Sequence, residues 1–572
     1  MCKRNLVSVV LTVSLLLTVT GLTQAATPEE IQESIDTGTA WLVSEQEDNG
    51  SWDYDVARTG FVLIKLQDRA YELGLDPFET NPAEPDYYEY AANVITGWEY
   101  LFTPSGVNDG VYAKKQTIGT QDHTLGASGA VDDPDTRING YGIYFSGRSI
   151  YYTGICLMAL ASSRAPGRIN DGGIDYDGDG NAETFGEIAQ DVVDWLAFAQ
   201  ADVGIYEGGF SYSDLDNACW SADNSNSGYA YLGLAAAEGF GCTVPSWVKT
   251  ELNVWIDYVQ NDPGVADDGN YCPDDPDGGS GYEMPQRWVN ELKTGNLIFE
   301  MTFFGDNTGD QRLLDALDYI QRHWHDENYE PGWGYNQGSP AHYQAMYCLM
   351  KGLEYSGIDL LDLDGDTIAE HDWYEEFADV LVNQQNMPAG YWASSPAYVW
   401  YCDGSWGTMS GEILSTVWAL LILEKIAPPP PVIEVPVDIK PTSCPNPVNV
   451  NSNGVLPVAI VGTEDLDVTT IDPLTIRLVD VVTPLRCSYE DVVTPYYPLM
   501  EKEDELSCTE EGPDGYLDLT LKFDKQEVVE AIGEVNDGDV IVLTLTGNLL
   551  EEYGGTPITG EDVIIIRKKG RK

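Results

Sequence analysis

The sequence predicts a multidomain chain: a mainly α part folded as an α6/α6 toroid of six helical hairpins, followed by a β-sandwich. Three observations carry that reading. A pair of helices joined by a glycine- and aromatic-rich loop recurs six times. The two helices of each pair differ, one apolar along a single face and the other apolar almost all round. After four consecutive prolines at 428–431 the apolar spacing changes from helical to alternating. The expected divisions are 1–25 as a signal peptide, 26–427 as the toroid, 428–431 as a stiff proline linker and 432–572 as the β-sandwich.

Lys3 and Arg4 precede an uncharged apolar run, and Gln24-Ala25-Ala26 supplies small residues for cleavage. That pattern is an export signal, too short and wrongly flanked for a membrane span, and no later run reads as a transmembrane segment. The first helices of the six pairs carry Trp41, Trp98, Trp195, Trp255, Tyr319 and Phe377. The loops carry Gly50-Ser51-Trp52, Gly208-Gly209-Phe210, Gly278-Gly279, Gly332-Trp333-Gly334 and Gly390-Tyr391-Trp392, the second pair being the least regular. The second helices are expected to begin at Thr59-Gly60, Thr153-Gly154, Ser227-Gly228, Thr294-Gly295, Tyr343-Gln344 and Ser415-Thr416. A helix apolar on every side must be covered on every side. Six of them inside a ring of six amphipathic helices satisfy both sets and leave a central cavity at one end. Beyond the linker, strands are expected at 435–439, 455–461, 475–481, 517–523, 540–545 and 563–566.

With 29 Lys plus Arg against 94 Asp plus Glu, the formal net charge is -65. A field of that sign repels nucleic acid and anionic membranes, so neither is a partner. Apolar residues at 43% and aromatic residues at 11% exclude a disordered acidic chain. The acidity fits an exported protein, a salt-adapted one, or one that neutralises carboxylates with calcium.

Gln46-Glu47-Asp48-Asn49-Gly50-Ser51-Trp52 matches the Gln-x-x-x-Gly-x-Trp repeat of squalene–hopene cyclases, and Gln385 to Trp392 is the same motif with one extra residue. The region 27–427 thus resembles the prenyltransferase and squalene-cyclase repeat superfamily. The resemblance implies a toroid in which the repeat motif clamps the outer helices and carries no chemistry. The superfamily's catalytic signatures are missing. There is no Asp-x-Asp-Asp tetrad, since Asp132-Asp133-Pro134-Asp135 and Asp274-Asp275-Pro276-Asp277 are different strings. The segment from His342 to Cys348 is similar to the zinc-binding histidine segment of protein prenyltransferases, but the cysteine segment does not match, and Asp216 and Cys219 lie in a loop. No zinc is expected. The thioester Cys-Gly-Glu-Gln of complement-like toroids is also missing. In the β part, Asp438-Ile439-Lys440-Pro441, Ser443-Cys444-Pro445-Asn446-Pro447 and Gly454-Val455-Leu456-Pro457-Val458-Ala459-Ile460 resemble a module at the C-termini of varied exported microbial proteins, which implies attachment or ligand presentation.

Two acidic loops repeat. Asp175, Asp177, Asp179, Asn181 and Glu183 recur as Asp362, Asp364, Asp366 and Glu370, each set preceding an outer helix. Carboxylates at alternate loop positions converge on one hard cation, and calcium takes six to eight oxygens. The twelfth position departs from the EF-hand rule, being Gly186 in one copy and Trp373 in the other, with Glu187 or Asp372 as substitutes. The expectation is structural calcium; the alternative is a solvated turn that caps a helix.

The candidate ligand site is the rim of the cavity, where Trp220, Asp223, Arg287, Trp333, Tyr335, His342, Trp400 and Trp406 lie in or beside loops that lead into inner helices. Aromatic rings with carboxylates suit glycans or apolar ligands; the alternative is packing between repeats. Among the cysteines, Cys156 and Cys348 lie in apolar helices and are expected to be buried and free. Cys219 pairs with Cys272 through corresponding loops, Cys444 pairs with Cys508, and Cys487 stays free. The functional expectation is an exported, calcium-stabilised, non-catalytic binding or cell-surface protein that takes a glycan or other extracellular ligand. The rival is an enzyme using the toroid cavity, a divergent terpenoid-type cyclase or a glycan lyase or hydrolase.

Overall fold

The computed structural model describes residues 25–102, 112–118, 133–147, 149–202, 204–214, 222–261, 278–325, 333, 341–365, 368–394, 411–425, 433–452, 454–463, 466–479, 481–497, 499, 502, 506–533, 535–550 and 557–568. The expected signal peptide (apart from Ala25) and proline linker therefore lie outside the described residues. Helices alternate between two roles along the chain. The outer ones are α1 (Pro28–Ser44), α3 (Ala91–Phe102), α5 (Phe185–Ala199), α7 (Ser246–Val259), α9 (Gln311–His323) and α11 (Trp373–Gln384). The inner ones are α2 (Val56–Glu72), α4 (Ile150–Ser162), α6 (Asn224–Gly239), α8 (Glu291–Phe304), α10 (Tyr343–Tyr355) and α12 (Glu412–Leu423). Each inner helix touches the next, and α12 returns to α2, so the inner set closes into a ring; α1 packs on both α11 and α12. The result is a helical toroid. No described helix is long and apolar enough to cross a membrane.

The repeat motif is the seam of this ring. Gln46, Gln200, Gln260 and Gln385 end outer helices, and each donates Nε2 to a carbonyl of the following loop glycine and to one of the neighbouring outer helix. The second acceptor is Asn93 O at 3.0 Å for Gln46 and Val248 O at 2.9 Å for Gln200. It is Arg312 O at 2.7 Å for Gln260 and Ser34 O at 2.9 Å for Gln385, the last bond joining the final outer helix to the first. The loop glycines need to be glycine: Gly208 has φ +82°, and a Cβ there would lie 1.9 Å from Glu251 O. At the fifth junction Trp324 replaces the glutamine, donating Nε1 to Glu376 on α11 at 2.9 Å.

Helix α10 begins at Tyr343 as expected, and the other five inner helices begin earlier than expected. Thr59, Thr153, Ser227, Thr294 and Thr416 stand within the helix, where each hydroxyl accepts a backbone N–H of its own loop, from Trp52, Phe145, Phe210, Ser280 and Trp392 at 2.9–3.2 Å. The true caps lie further back at Asp55, Ser149, Asp223 and Asn290, whose side chains accept first-turn N–H groups. Helices α8 and α10 cross where Gly295 meets Gly352, a Cβ at Gly352 falling 2.4 Å from Gly295 O. Two short antiparallel pairs decorate the helical part: β1 (Ala113–Thr117) with β2 (Tyr141–Phe145), and β3 (Leu360–Leu361) with β4 (His371–Asp372).

The β-rich part has its own apolar core, built from residues such as Val437, Val458, Leu521, Leu545 and Ile564. One sheet runs β10 (Arg486–Glu490), β11 (Asp518–Asp524), β8 (Val455–Ile460), β6 (Val437–Ile439). The other runs β5 (Ile433–Glu434), β13 (Pro557–Arg567), β12 (Val540–Leu549), β9 (Ile471–Leu478), with β7 (Pro447–Asn449) beside β13. The strand expected at 475–481 starts earlier and ends at Leu478, and α13 (Lys525–Ile532) follows β11. The periodicity missed β10 because its residues are all exposed, so no alternation marks it. Cys444 and Cys508 form a disulfide with Cα atoms 5.4 Å apart. Cys156 and Cys348 are buried and free, and Cys487 is exposed and free; Cys219 and Cys272 lie outside the described residues.

Candidate functional site

The N-terminal ends of all six inner helices surround one cavity of about 490 Å³. Its wall is aromatic: Tyr151 and Tyr152 from α4, Tyr229 from α6, Trp418 from α12, and Tyr212 and Tyr282 from the loops before α6 and α8. The Tyr151 and Tyr229 rings stand edge to face, 4.5 Å between centroids, and the Tyr212 and Tyr282 hydroxyls lie 2.8 Å apart. The Phe61 ring of α2 packs against this wall, meeting the rings of Tyr229, Tyr347 and Trp418 at 5.8, 5.8 and 6.1 Å. Asn296 and Gln344 add side-chain amides to the wall.

Each charged group in this wall is engaged within the fold. Asp55 caps α2 by accepting Arg58 N at 2.9 Å and takes the Tyr152 hydroxyl at 3.2 Å. The Arg58 guanidinium lies 3.1 Å from Asp53 and 3.9 Å from Asp55. Lys293 donates to Trp288 O at 2.5 Å and faces the Tyr282 ring. Six helix N-termini would attract an anion, but at five of them a side-chain cap already occupies first-turn N–H groups. Aromatic faces, amides and hydroxyls suit a neutral, hydroxyl-rich ligand.

The sequence-expected rim residues fall around this cavity more than in its wall. Asp223 caps α6, accepting from Ser225 N and Asn226 N and from the side chains of both residues. Burial raises its carboxyl above the usual range, against the pull of those bonds. His342 caps α10 through Nδ1, which accepts Ala345 N at 3.1 Å; burial pulls its pKa down to about 4, so the ring is neutral. Trp333 is buried against Trp324 and Phe377, its backbone N–H donating to Glu291 at 2.7 Å. Arg287 pairs with Glu283 and lies over the Trp288 ring, 4.0 Å from its centroid. Trp220, Tyr335, Trp400 and Trp406 lie outside the described residues. Sequence reasoning looked to the loops and passed over the first helical turns. The available signal was the unusual chemistry there: Tyr151-Tyr152, Lys293 with Asn296, and Gln344 stand where a wholly apolar helix would carry aliphatic residues.

In the first acidic loop, Asp175, Asp177 and Glu183 have carboxylate oxygens within 4.8 Å of one another, a donor set that suits a hard cation. Carboxylates of this loop also accept backbone N–H groups: Asp175 from Gly178 and Gly180, Asp177 from Asp179, and Asp179 from Asn181. Glu183 is buried and accepts from Tyr176 N at 2.7 Å and Asp177 N at 2.8 Å. In the second loop Asp362 accepts Gly365 N at 2.8 Å, and Glu370 donates its own N–H to Leu361 O. Asp364 stands between them, and Asp366 lies outside the described residues.

No family model matches the chain. No curated protein is similar enough to count as a match. Among solved structures, the chain is similar to the glycoside hydrolase family 76 α-1,6-mannanase of Salegentibacter sp., at a TM-score of 0.40 and 10% identity over 69% of this chain and 98% of that one. An inactive variant of that mannanase, in complex with α-1,6-mannotetrose, gives a TM-score of 0.40 at 11% identity, over 69% and 98%. A family 76 mannosidase from Bacteroides thetaiotaomicron gives 0.36 at 11%, over 69% and 97%. Likeness at this distance carries no argument about activity.

Proposed function

We propose that the helical toroid is a glycan-recognition domain whose mouth takes a neutral saccharide. The observation that carries this is the cavity at the N-terminal ends of the inner helices, walled by tyrosines and Trp418 with amides between them, its Arg58 paired with Asp53 and its Lys293 hydrogen-bonded to Trp288 O. In this reading the chain is exported, its helical part is an α6/α6 toroid of six hairpins spanning 26–427, and 432–572 is a β-sandwich that presents or attaches it. The closed contact cycle of inner helices and the two-sheet core of the β part support those divisions. A glycan array probed with the labelled full chain tests it. The expected result is binding to a restricted set of neutral glycans, weakened by Tyr152→Ala. Binding that requires acidic sugars, or none, overturns it.

A second reading, glycoside hydrolysis at the same mouth, has one observation in its favour: Asp53 and Asp55 flank a single guanidinium. Hydrolysis needs two carboxylates about the scissile bond, and among the described residues Asp55 is the one carboxylate in the cavity wall. If it holds, Asp55→Asn abolishes release of reducing ends while the glycan still binds.

The acidic loops are proposed to hold structural calcium. Chelation is expected to lower the Tm, because a ligand bound only by the folded state stabilises it by mass action, and Asp177→Ala with Asp364→Ala to remove that dependence. A melting curve unmoved by chelator contradicts the calcium reading.

A further inference from the structure

The opposite end of the ring holds a second cavity, about 570 Å³, lined by the last turns of α2, α4, α6, α10 and α12. Lys351 lies in its wall, 3% exposed, in the last turns of α10. Among the described residues its ammonium makes neither a hydrogen bond nor an ion pair; the Tyr347 ring lies 5.0 Å away, and the buried Asp68 carboxyl shares the cavity wall with it. The other cations of this end are all engaged. Lys65 pairs with Glu424 at 2.6 Å, Arg69 with Glu72 at 2.6 Å, Arg164 with Asp68 at 3.5 Å and Lys425 with Glu354 at 3.4 Å. A buried amine without a partner, opening on a cavity that already holds the charged forms of its neighbours in pairs, is shaped for a neutral reactant.

We infer that the second cavity binds a small aldehyde or ketone and that the Lys351 amine condenses with it to an imine. The amine nitrogen adds to the carbonyl carbon, the C=O π pair moves to oxygen, and a proton passes from nitrogen to that oxygen to give a carbinolamine. The carbinolamine oxygen then leaves as water, taking up a second proton as the nitrogen lone pair forms the C=N bond. The net change is carbonyl plus amine to imine plus water, without any oxidant or reductant. Asp68 lines the same cavity and is the acid placed to lend and recover the proton of the second step. Burial favours the forms this needs. It pulls the Lys351 pKa down to about 7 against the opposing pull of Asp68 and Cys348, and pushes that of Asp68 up to about 6 against Arg164, Lys351 and Lys65. The charged groups facing Lys351 are thus Asp68 and Glu72 of α2, Arg164 after α4, and Glu424 and Lys425 at the end of α12; the α6 residues in the wall, Ala236 and Gly239, carry no charge.

The test is reductive trapping on the full chain. Propanal and cyanoborohydride are applied briefly at pH 7, and modification is mapped by peptide mass. An unperturbed lysine is almost wholly protonated at that pH, so Lys351 is expected to be modified roughly tenfold or more faster than the exposed lysines. Lys351→Arg should remove the fast site alone, and denaturation before labelling should abolish the preference. Modification of Lys351 in the native chain at or below the rate of the exposed lysines overturns the inference, whatever the variant does. Because the reagent is not a glycan and the site lies at the opposite end of the ring, failure here leaves the glycan reading of the mouth untouched.

Discussion

The two ends of the helical ring are built from the same six helices and are chemically opposite. At the N-terminal end, Asp55, Ser149, Asp223, Asn290 and His342 absorb the free first-turn N–H groups, and the wall between them is aromatic and amide. At the C-terminal end, small residues such as Ala161, Ala236 and Gly239 leave room, and the wall is built of ion pairs around one unpaired amine. Capping residues satisfy backbone donors at one end, whereas the carbonyl-rich end gathers Lys and Arg as a helix C-terminus favours. One scaffold thereby offers an aromatic pocket and an ion-paired one.

The largest expected effect is at the charged end. Lys65 and Glu424 are both almost fully buried, and removing one partner strands the other. Lys65→Met should cost about 3–5 kcal/mol at pH 8. Burial already pushes the Glu424 pKa up to about 7, so the folded state holds its proton more tightly than the unfolded state between 4.5 and 7. The Glu424 contribution to stability therefore falls as pH rises through that window, and the variant's loss should shrink toward pH 5. Chemical denaturation at the two pH values measures it; a loss independent of pH would show that Glu424 is not the stranded group.

A smaller effect of opposite sign is expected at Lys351. Its folded pKa, about 7, lies below the free value of 10.5, so the unfolded chain binds more protons between those values and stability rises with pH across them. Lys351→Met should gain about 1–3 kcal/mol at pH 7 and flatten that rise. Equal pH slopes for variant and parent would contradict the buried, unpaired amine.

The smallest expected effect is at the mouth, where Asp55→Ala removes a cap and the acceptor of Tyr152. A loss of about 1 kcal/mol is expected, read as a lower Tm. A loss as large as that of Lys65→Met would erase the contrast between a capped end and an ion-paired end.

Much of this architecture was legible in the sequence because its causes are local. Gln46 and Gly50, or Gln385 and Gly390, stand a few residues apart, and the loop they close repeats. The Cys444–Cys508 pairing followed from two polar loop settings, and the burial of Cys156 and Cys348 from apolar helices. The mouth was legible only in outline. The repeated Thr-Gly and Ser-Gly pairs marked inner helices, but their hydroxyls serve the loop and not the cap, which hid the first turns and with them Tyr151, Tyr152 and Asn296. The charged end was not legible at all: Lys65 and Glu424 are 359 residues apart, and nothing local distinguishes either from a surface charge.

The central claim is that the mouth recognises a neutral glycan through its aromatic wall. Titrating the full chain with the best neutral glycan from the array, followed by tryptophan fluorescence, tests it most directly, with Tyr152→Ala in parallel. Trp418 in the wall should report binding, and loss of the Tyr152 ring should weaken it by about 1–2 kcal/mol, roughly 5- to 30-fold in Kd. An unchanged Kd in the variant, with its fold intact by circular dichroism, would place the glycan elsewhere and contradict the claim.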